Sequence, residues 1–183
     1  MQTNLEIEFK SQIDQNTYLK LMQEFNLMDQ TFTQINYYFD TPDDALKKQK
    51  ITLRIRYKAG KYKLTSKTHH DYGTVEKHLN LTEDEAQKML NEPFNAQMIG
   101  LDYEVRKIAE LKTIRAKVSY KGGTLFFDKS LYYDNIDYEI EYEVLNKEEG
   151  LVIFNNFLKE HNLTYTPIIS KSKRAINKSR MKS

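Results

Sequence analysis

A chain of 183 residues is the size of one domain, and with 39% apolar against 30% charged residues it is more polar than an average globular domain. The 28 Lys and Arg nearly balance the 26 Asp and Glu, and a net charge of +2 argues against a stable nucleic-acid binder, whose affinity comes from surplus cations facing phosphates. Zero Cys excludes a disulfide scaffold, a thiolate zinc site, an iron–sulfur cluster and a cysteine nucleophile, while 13 Tyr and 9 Phe are too many aromatics for a disordered chain.

Alternating periodicity predicts a first strand over Leu5–Lys10. Its Glu6, Glu8 and Lys10 stand where a secretory signal would need an apolar run, and no window approaches 18 apolar residues. The expectation is a soluble cytoplasmic protein with no membrane partner. Asp14–Leu27 repeats Tyr18, Leu21, Met22 and Phe25 at helical spacing. Strands follow at Gln34–Asp40, Thr52–Lys58, Lys61–Thr68 and Gly73–Leu81, with a helix start at Thr41-Pro42-Asp43-Asp44 in which Thr41 is the cap. His69 and His70 fall in a predicted loop. Thr82-Glu83-Asp84-Glu85 is a capping box opening a helix over Glu83–Leu90. Leu111–Tyr120, Thr124–Tyr133 and Asp137–Leu145 complete the strands, and Ala59-Gly60-Lys61 and Lys121-Gly122-Gly123 are predicted hairpin turns. Asn146 opens a helix with Leu151, Phe154, Phe157 and Leu158 as its apolar face. Ser170–Ser179 is a basic helical segment, and residues 180–183 are expected to fray, leaving one domain over residues 1–179.

Side chains two apart share a strand face. Glu6, Glu8 and Lys10 therefore oppose Leu5, Ile7 and Phe9; Arg54, Arg56 and Lys58 oppose Leu53, Ile55 and Tyr57; Lys63 and Lys67 oppose Leu64. Glu76 and His78 oppose Val75 and Leu79. Arg115 and Lys117 oppose Ile114, Ala116 and Val118, and Glu139, Glu141 and Glu143 oppose Tyr138, Ile140, Tyr142 and Val144. The signs are sorted by strand, whereas a solvated sheet face mixes them, because like charges oppose pairing. Cations in rows ask for a polyanion, and clustered carboxylates, with Asp128 a further candidate, ask for a hard divalent metal with oxygen ligands. A metal-bound polyphosphate satisfies both. The expected fold is mostly antiparallel β, curled with its charged face inward and its apolar face covered by helices.

The same residues carry a family pattern. Glu6-Ile7-Glu8-Phe9-Lys10 is followed in order by Tyr37-Tyr38-Phe39-Asp40-Thr41, Leu53-Arg54-Ile55-Arg56, Lys63-Leu64-Thr65-Ser66-Lys67, Glu76, Arg115 with Lys117, Asp128, the Glu139–Glu143 ladder and Lys171/Lys173. Over essentially its whole length the chain resembles the CYTH superfamily, the triphosphate tunnel metalloenzymes, and its bacterial single-domain branch in particular. That resemblance implies an eight-stranded closed tunnel-like barrel and a triphosphatase using Mg²⁺ or Mn²⁺. It implies that Glu6, Glu8, Glu141 and Glu143 are catalytic and, with Asp128, hold metal. Lys10, Arg54, Arg56, Lys63, Lys67, Arg115, Lys117 and Lys171 would bind phosphate, with Tyr38, Glu76 and Glu139 in support. Glu139 competes with Glu143 for the acidic pair, and Lys173 with Lys171 for the C-terminal cation. The implied partner is a small-molecule triphosphate: inorganic tripolyphosphate, thiamine triphosphate or a nucleoside triphosphate. A class IV adenylate cyclase and a non-catalytic polyphosphate-binding module are the alternatives, and the oligomeric state, a homodimer included, is open. The chain has no Gly-x-x-x-x-Gly-Lys-Ser/Thr loop, so triphosphate binding by the P-loop route is excluded.

Overall fold

The computed structural model describes residues 1–182. Its elements in chain order are β1 (Gln2–Ile13), α1 (Gln15–Glu24), β2 (Phe32–Asp40), α2 (Ala45–Lys48), β3 (Ile51–Lys58), β4 (Lys61–His70), β5 (Gly73–Leu81), α3 (Glu83–Asn91), β6 (Phe94–Asn95), a 3-10 turn (Ala96–Ile99), β7 (Glu104–Tyr120), β8 (Gly123–Tyr132), β9 (Asn135–Val144), α4 (Lys147–Glu160) and α5 (Lys171–Lys182). Paired strands run in the order β2-β3-β4-β5-β1-β9-β8-β7, and β7 pairs again with β2, so the expected eight-stranded order closes on itself. The short β6 is an extra strand on β7. The pairs β1–β9, β2–β3, β3–β4, β4–β5, β6–β7 and β8–β9 are antiparallel. Among the described residues no helix is long and apolar enough to cross a membrane.

The chain packs as two compact units, each drawn from separated segments. The first contains Met1–Leu5, Gln34–Lys112 and the segment from Ser170 onward; the second contains Glu6–Thr33 and Thr113–Ile169. In the first unit, Phe39, Leu53, Ile55 and Leu64 project from one side of β2–β4 onto Leu46 of α2, Met89 of α3 and Ile99 of the 3-10 turn. In the second, Ala116, Leu125, Phe127, Ile140 and Tyr142 project from β7–β9 onto Tyr18, Leu21 and Met22 of α1 and Phe154, Phe157 and Leu158 of α4. Each sheet thus has one apolar side covered by helices, as its period-two pattern requires.

Local chemistry explains most boundaries. Asp14 caps α1 by accepting from Thr17 N at 2.7 Å, and Thr82 and Glu85 form the expected capping box of α3. Both central residues of two hairpins have positive φ, Ala59 and Gly60 at 49° and 76°, Lys121 and Gly122 at 43° and 80°. Gly123 lies outside its turn, in β8, for another reason: a Cβ there would come within 2.6 Å of the Tyr142 ring and of the Glu143 carbonyl.

Several expectations change. His69 and His70 end β4 and do not lie in a loop. β7 begins seven residues before the expected Leu111. Thr41 is not the formal cap of α2, because Pro42 and Asp43 form a turn and Asp44, at φ 62°, immediately precedes the helix. Capping comes from upstream instead: Thr41 Oγ1 accepts from Ala45 N at 2.8 Å, and the buried Asp40 carboxylate accepts from Thr41 N, Leu46 N and Lys47 N at 2.7, 2.9 and 3.1 Å. On α4, Leu151 is exposed and Gly150 takes the buried position, since β9 approaches so closely that a Cβ would meet Val144 at 2.5 Å. α5 continues to Lys182, beyond the point where fraying was expected. Ser179 Oγ donates to Ile108 O at 2.8 Å, and Arg180 pairs with Asp44. Ser183, the last residue of that expected tail, lies outside the described residues.

Asp40→Ala should therefore lower unfolding stability by about 2–4 kcal/mol in urea titration, by leaving three backbone donors without their carboxylate. Asp40→Asn, which keeps one acceptor oxygen, should lose less.

Candidate functional site: two charged sheet faces

Opposite its apolar side, the second unit carries a row of acids. Register places Glu8 across from Glu143, Lys10 across from Glu141, and Glu139 across from Asp128. Asp128, Glu139 and Glu141 are all buried, and an oxygen from each lies within 4.8 Å of the others. Arg115 enters this cluster as a fork: Nε donates to Asp128 Oδ1 at 2.7 Å, and Nη2 to Asp128 Oδ2 and Glu141 Oε2, each at 2.6 Å. The face of its guanidinium lies 4.2 Å from the centre of the Phe126 ring. Burial by itself disfavours the Arg115 cation. The Asp128 and Glu141 carboxylates, with Glu8 behind them, outweigh that and hold it protonated far above its ordinary range.

Three carboxyl groups gathered in a buried place, with one guanidinium bonded to two of them, form a strongly charged cluster. An all-oxygen donor set of this kind fits a hard divalent ion. Glu6 and Glu8 are half-buried on β1, where Lys10 Nζ lies 3.7 Å from Glu8 Oε1. Glu143 and Lys117 are exposed. Oxygens of Glu139, Glu141 and Asp128 thus lie together, and Arg115, expected to bind phosphate, is hydrogen-bonded to Asp128 and Glu141.

On the first unit the charged face is a grid. Register sets Tyr38, Arg54, Thr65 and His78 in one row, Asn36, Arg56, Lys63 and Asn80 in the next, and Thr52, Lys67 and Glu76 on the other side. Arg56 Nε donates to Asn36 Oδ1 at 2.9 Å, while the buried Nε of Arg54 has no hydrogen-bond partner among the described residues. Lys67 pairs with the buried Glu76. Burial alone would raise the Glu76 carboxyl, but Lys67, by charge and hydrogen bond, then Arg54 and His78, hold it at about 2. Tyr38 is buried and its hydroxyl is pushed up for that reason, against the opposing field of Arg54, Lys171, Arg56 and Lys67. Lys171 is half-buried and belongs to this field, whereas Lys173, Lys63 and Lys58 are exposed.

Three residues escaped the sequence reading. Asn36 and Thr65 share the parity of Tyr38 and of Lys63 and Lys67, so the alternation that found the cations would have found them too. Arg174 is buried within the basic C-terminal segment, of which only Lys171 and Lys173 were candidates. The Asp40-Thr41 turn of the motif serves α2 as a cap.

The CYTH domain model matches residues 4–176. YjbK of Bacillus subtilis, provisionally named a triphosphatase, is 35% identical over 170 residues, 89% of this chain and 90% of that protein. A crystal structure from Bacillus halodurans, described provisionally as an adenylate cyclase, is 32% identical with a TM-score of 0.87, over 95% of this chain and 98% of that one. HpAC1 from Hippeastrum, a provisional adenylyl cyclase reported with a dominant triphosphatase activity, shares the fold at 21% identity and a TM-score of 0.74, over 95% and 96% of the two chains. With residues 4–176 matched, this chain belongs to the CYTH domain family.

Proposed function

We propose that this chain is a hydrolase that cleaves a triphosphate with the help of Mg²⁺ or Mn²⁺, acting in the cytoplasm on inorganic tripolyphosphate, thiamine triphosphate or a nucleoside triphosphate. The observation that carries the reading is the segregation of charge: a buried carboxylate cluster on one sheet face and a grid of arginines and lysines on another. The triphosphatase names of YjbK and HpAC1 lend it further support.

Asp128 of β8 and Glu139 and Glu141 of β9, with Glu143 of β9 and Glu6 and Glu8 of the neighbouring β1, are the proposed metal ligands. A bound divalent ion would neutralise phosphate oxygens and lower the pKa of a coordinated water. Arg115 holds Asp128 and Glu141 in fixed orientation, so that they are preorganised before any ligand arrives. Arg54, Arg56, Lys63, Lys67 and Lys171 are the proposed phosphate grip, with Lys10 and Lys117 contributing charge. They stabilise the negative charge that builds on the departing diphosphate as water attacks the terminal phosphorus. The buried, unpartnered Arg54 Nε is a donor already desolvated for that purpose. Hydrolysis needs no covalent nucleophile.

Incubation of the purified protein with tripolyphosphate, thiamine triphosphate and ATP, each with Mg²⁺ or Mn²⁺, should release orthophosphate and lose activity on chelation. Formation of cyclic AMP, or tight binding without turnover, would overturn the reading. Glu141→Gln should lower kcat by about a hundredfold or more, because it removes a proposed metal ligand and a partner of Arg115 together. Arg54→Ala should instead raise KM by roughly tenfold with a smaller change in kcat, as steady-state kinetics on the best substrate will show.

A further inference from the structure

His78 has no role in the scheme above, yet both of its ring nitrogens are engaged. Nδ1 lies 3.1 Å from Thr65 Oγ1, and Nε2 lies 3.0 Å from Glu76 Oε2. The side chain is 13% exposed. The other oxygen of Glu76 pairs with Lys67 Nζ. Thr65, His78, Glu76 and Lys67 are therefore one continuous chain of polar contacts across β4 and β5.

The polarity of that chain follows from donor chemistry. An ionised carboxylate only accepts, so the ring must present N–H at Nε2 toward Glu76. A hydroxyl can donate or accept, so Thr65 is free to donate to a bare Nδ1. A doubly protonated ring would have to sit in a poorly solvated place beside Lys63 and Lys67 of β4 and Arg54 of β3. Burial first, then these three cations, push the ring below the ordinary histidine range, against the opposing pull of Glu76. The ring that fits is neutral, with its hydrogen on Nε2.

We propose that His78 is a positioning residue of the phosphate-binding face: a neutral Nε2–H imidazole that orients Glu76, so that the second carboxylate oxygen fixes Lys67 as a phosphate-binding cation. His78 itself touches no substrate. The choice of substrate rests on the triphosphatase reading; the tautomer and the orientation of Glu76 do not.

Long-range ¹H–¹⁵N spectra of the full chain at neutral pH, with the His78 signals assigned by their loss in His78→Gln, should show the Nε2–H tautomer. Glu76→Gln should release that preference. An Nδ1–H ring, or a ring averaging between tautomers in the wild-type protein, would overturn the assignment. With tripolyphosphate as the probe, His78→Ala should weaken binding by roughly tenfold in calorimetry, and in kinetics the loss should appear in KM far more than in kcat. His78→Gln, which restores an N–H donor near the Nε2 position, should recover most of that loss. In a Lys67→Ala background the His78→Ala substitution should have little further effect. An undiminished effect in that background, or no recovery with Gln, would mean that His78 does not act through Glu76 and Lys67. Absence of phosphate release from every triphosphate would defeat the triphosphatase reading alone, since the spectra and the calorimetry still decide the role of His78.

Discussion

The cost of burying charge bears most heavily on the fork between Arg115, Asp128 and Glu141. Removing a guanidinium and its carboxylates from water costs several kcal/mol per ion, a loss recovered only when geometry is good and remaining donors and acceptors are satisfied. Here one planar group makes two parallel bonds to Asp128 and a third to Glu141, and stacks on Phe126. The fork holds Asp128 and Glu141 in place. Glu139 is buried beside them, and the three carboxyl groups make an all-oxygen donor set of the kind that suits a hard cation.

The first unit solves the opposite problem. Its grid of arginines and lysines contains one buried acid, Glu76, and that acid is surrounded so thoroughly by Lys67, Arg54 and His78 that it stays ionised down to about pH 2. A carboxylate in this setting organises cations and is not a proton carrier at neutral pH. Asn36 plays a neutral version of the same part for Arg56. Both faces are therefore preorganised by second groups behind the residues that would meet a ligand, and preorganisation is what allows fixed charges to favour a transition state over a ground state.

The apolar sides make these faces affordable. Helices α1 and α4 cover β7–β9, and α2 with α3 and the 3-10 turn cover β2–β4, so each strand has one dry side and one charged side. Close approach fixes the details. Gly123 admits the Tyr142 ring, and Gly150 lets α4 settle onto Val144. The Asp40 carboxylate, bonding to three backbone amides, ties the end of β2 to α2 directly beyond Tyr38.

Period-two alternation alone determined the strands, the apolar sides and the sorting of acids from bases, because neighbouring side chains of a strand must point to opposite faces. Local motifs likewise determined the capping box at Thr82 and the positive-φ turn glycines Gly60 and Gly122, since each depends on residues adjacent in the chain. The long N-terminal part of β7, the exposed Leu151 and the buried Arg174 were not legible, because burial there is set by what packs across from them. Nor could spacing choose Glu139 over Glu143, or Lys171 over Lys173, as both members of each pair have the same parity or the same local composition. Register across β8–β9 sets Glu139 opposite Asp128 and Glu143 opposite Thr124, and Lys171 is half-buried where Lys173 is exposed, differences that spacing does not carry. Local sequence specifies which way a side chain points; only pairing between distant segments specifies which charges meet.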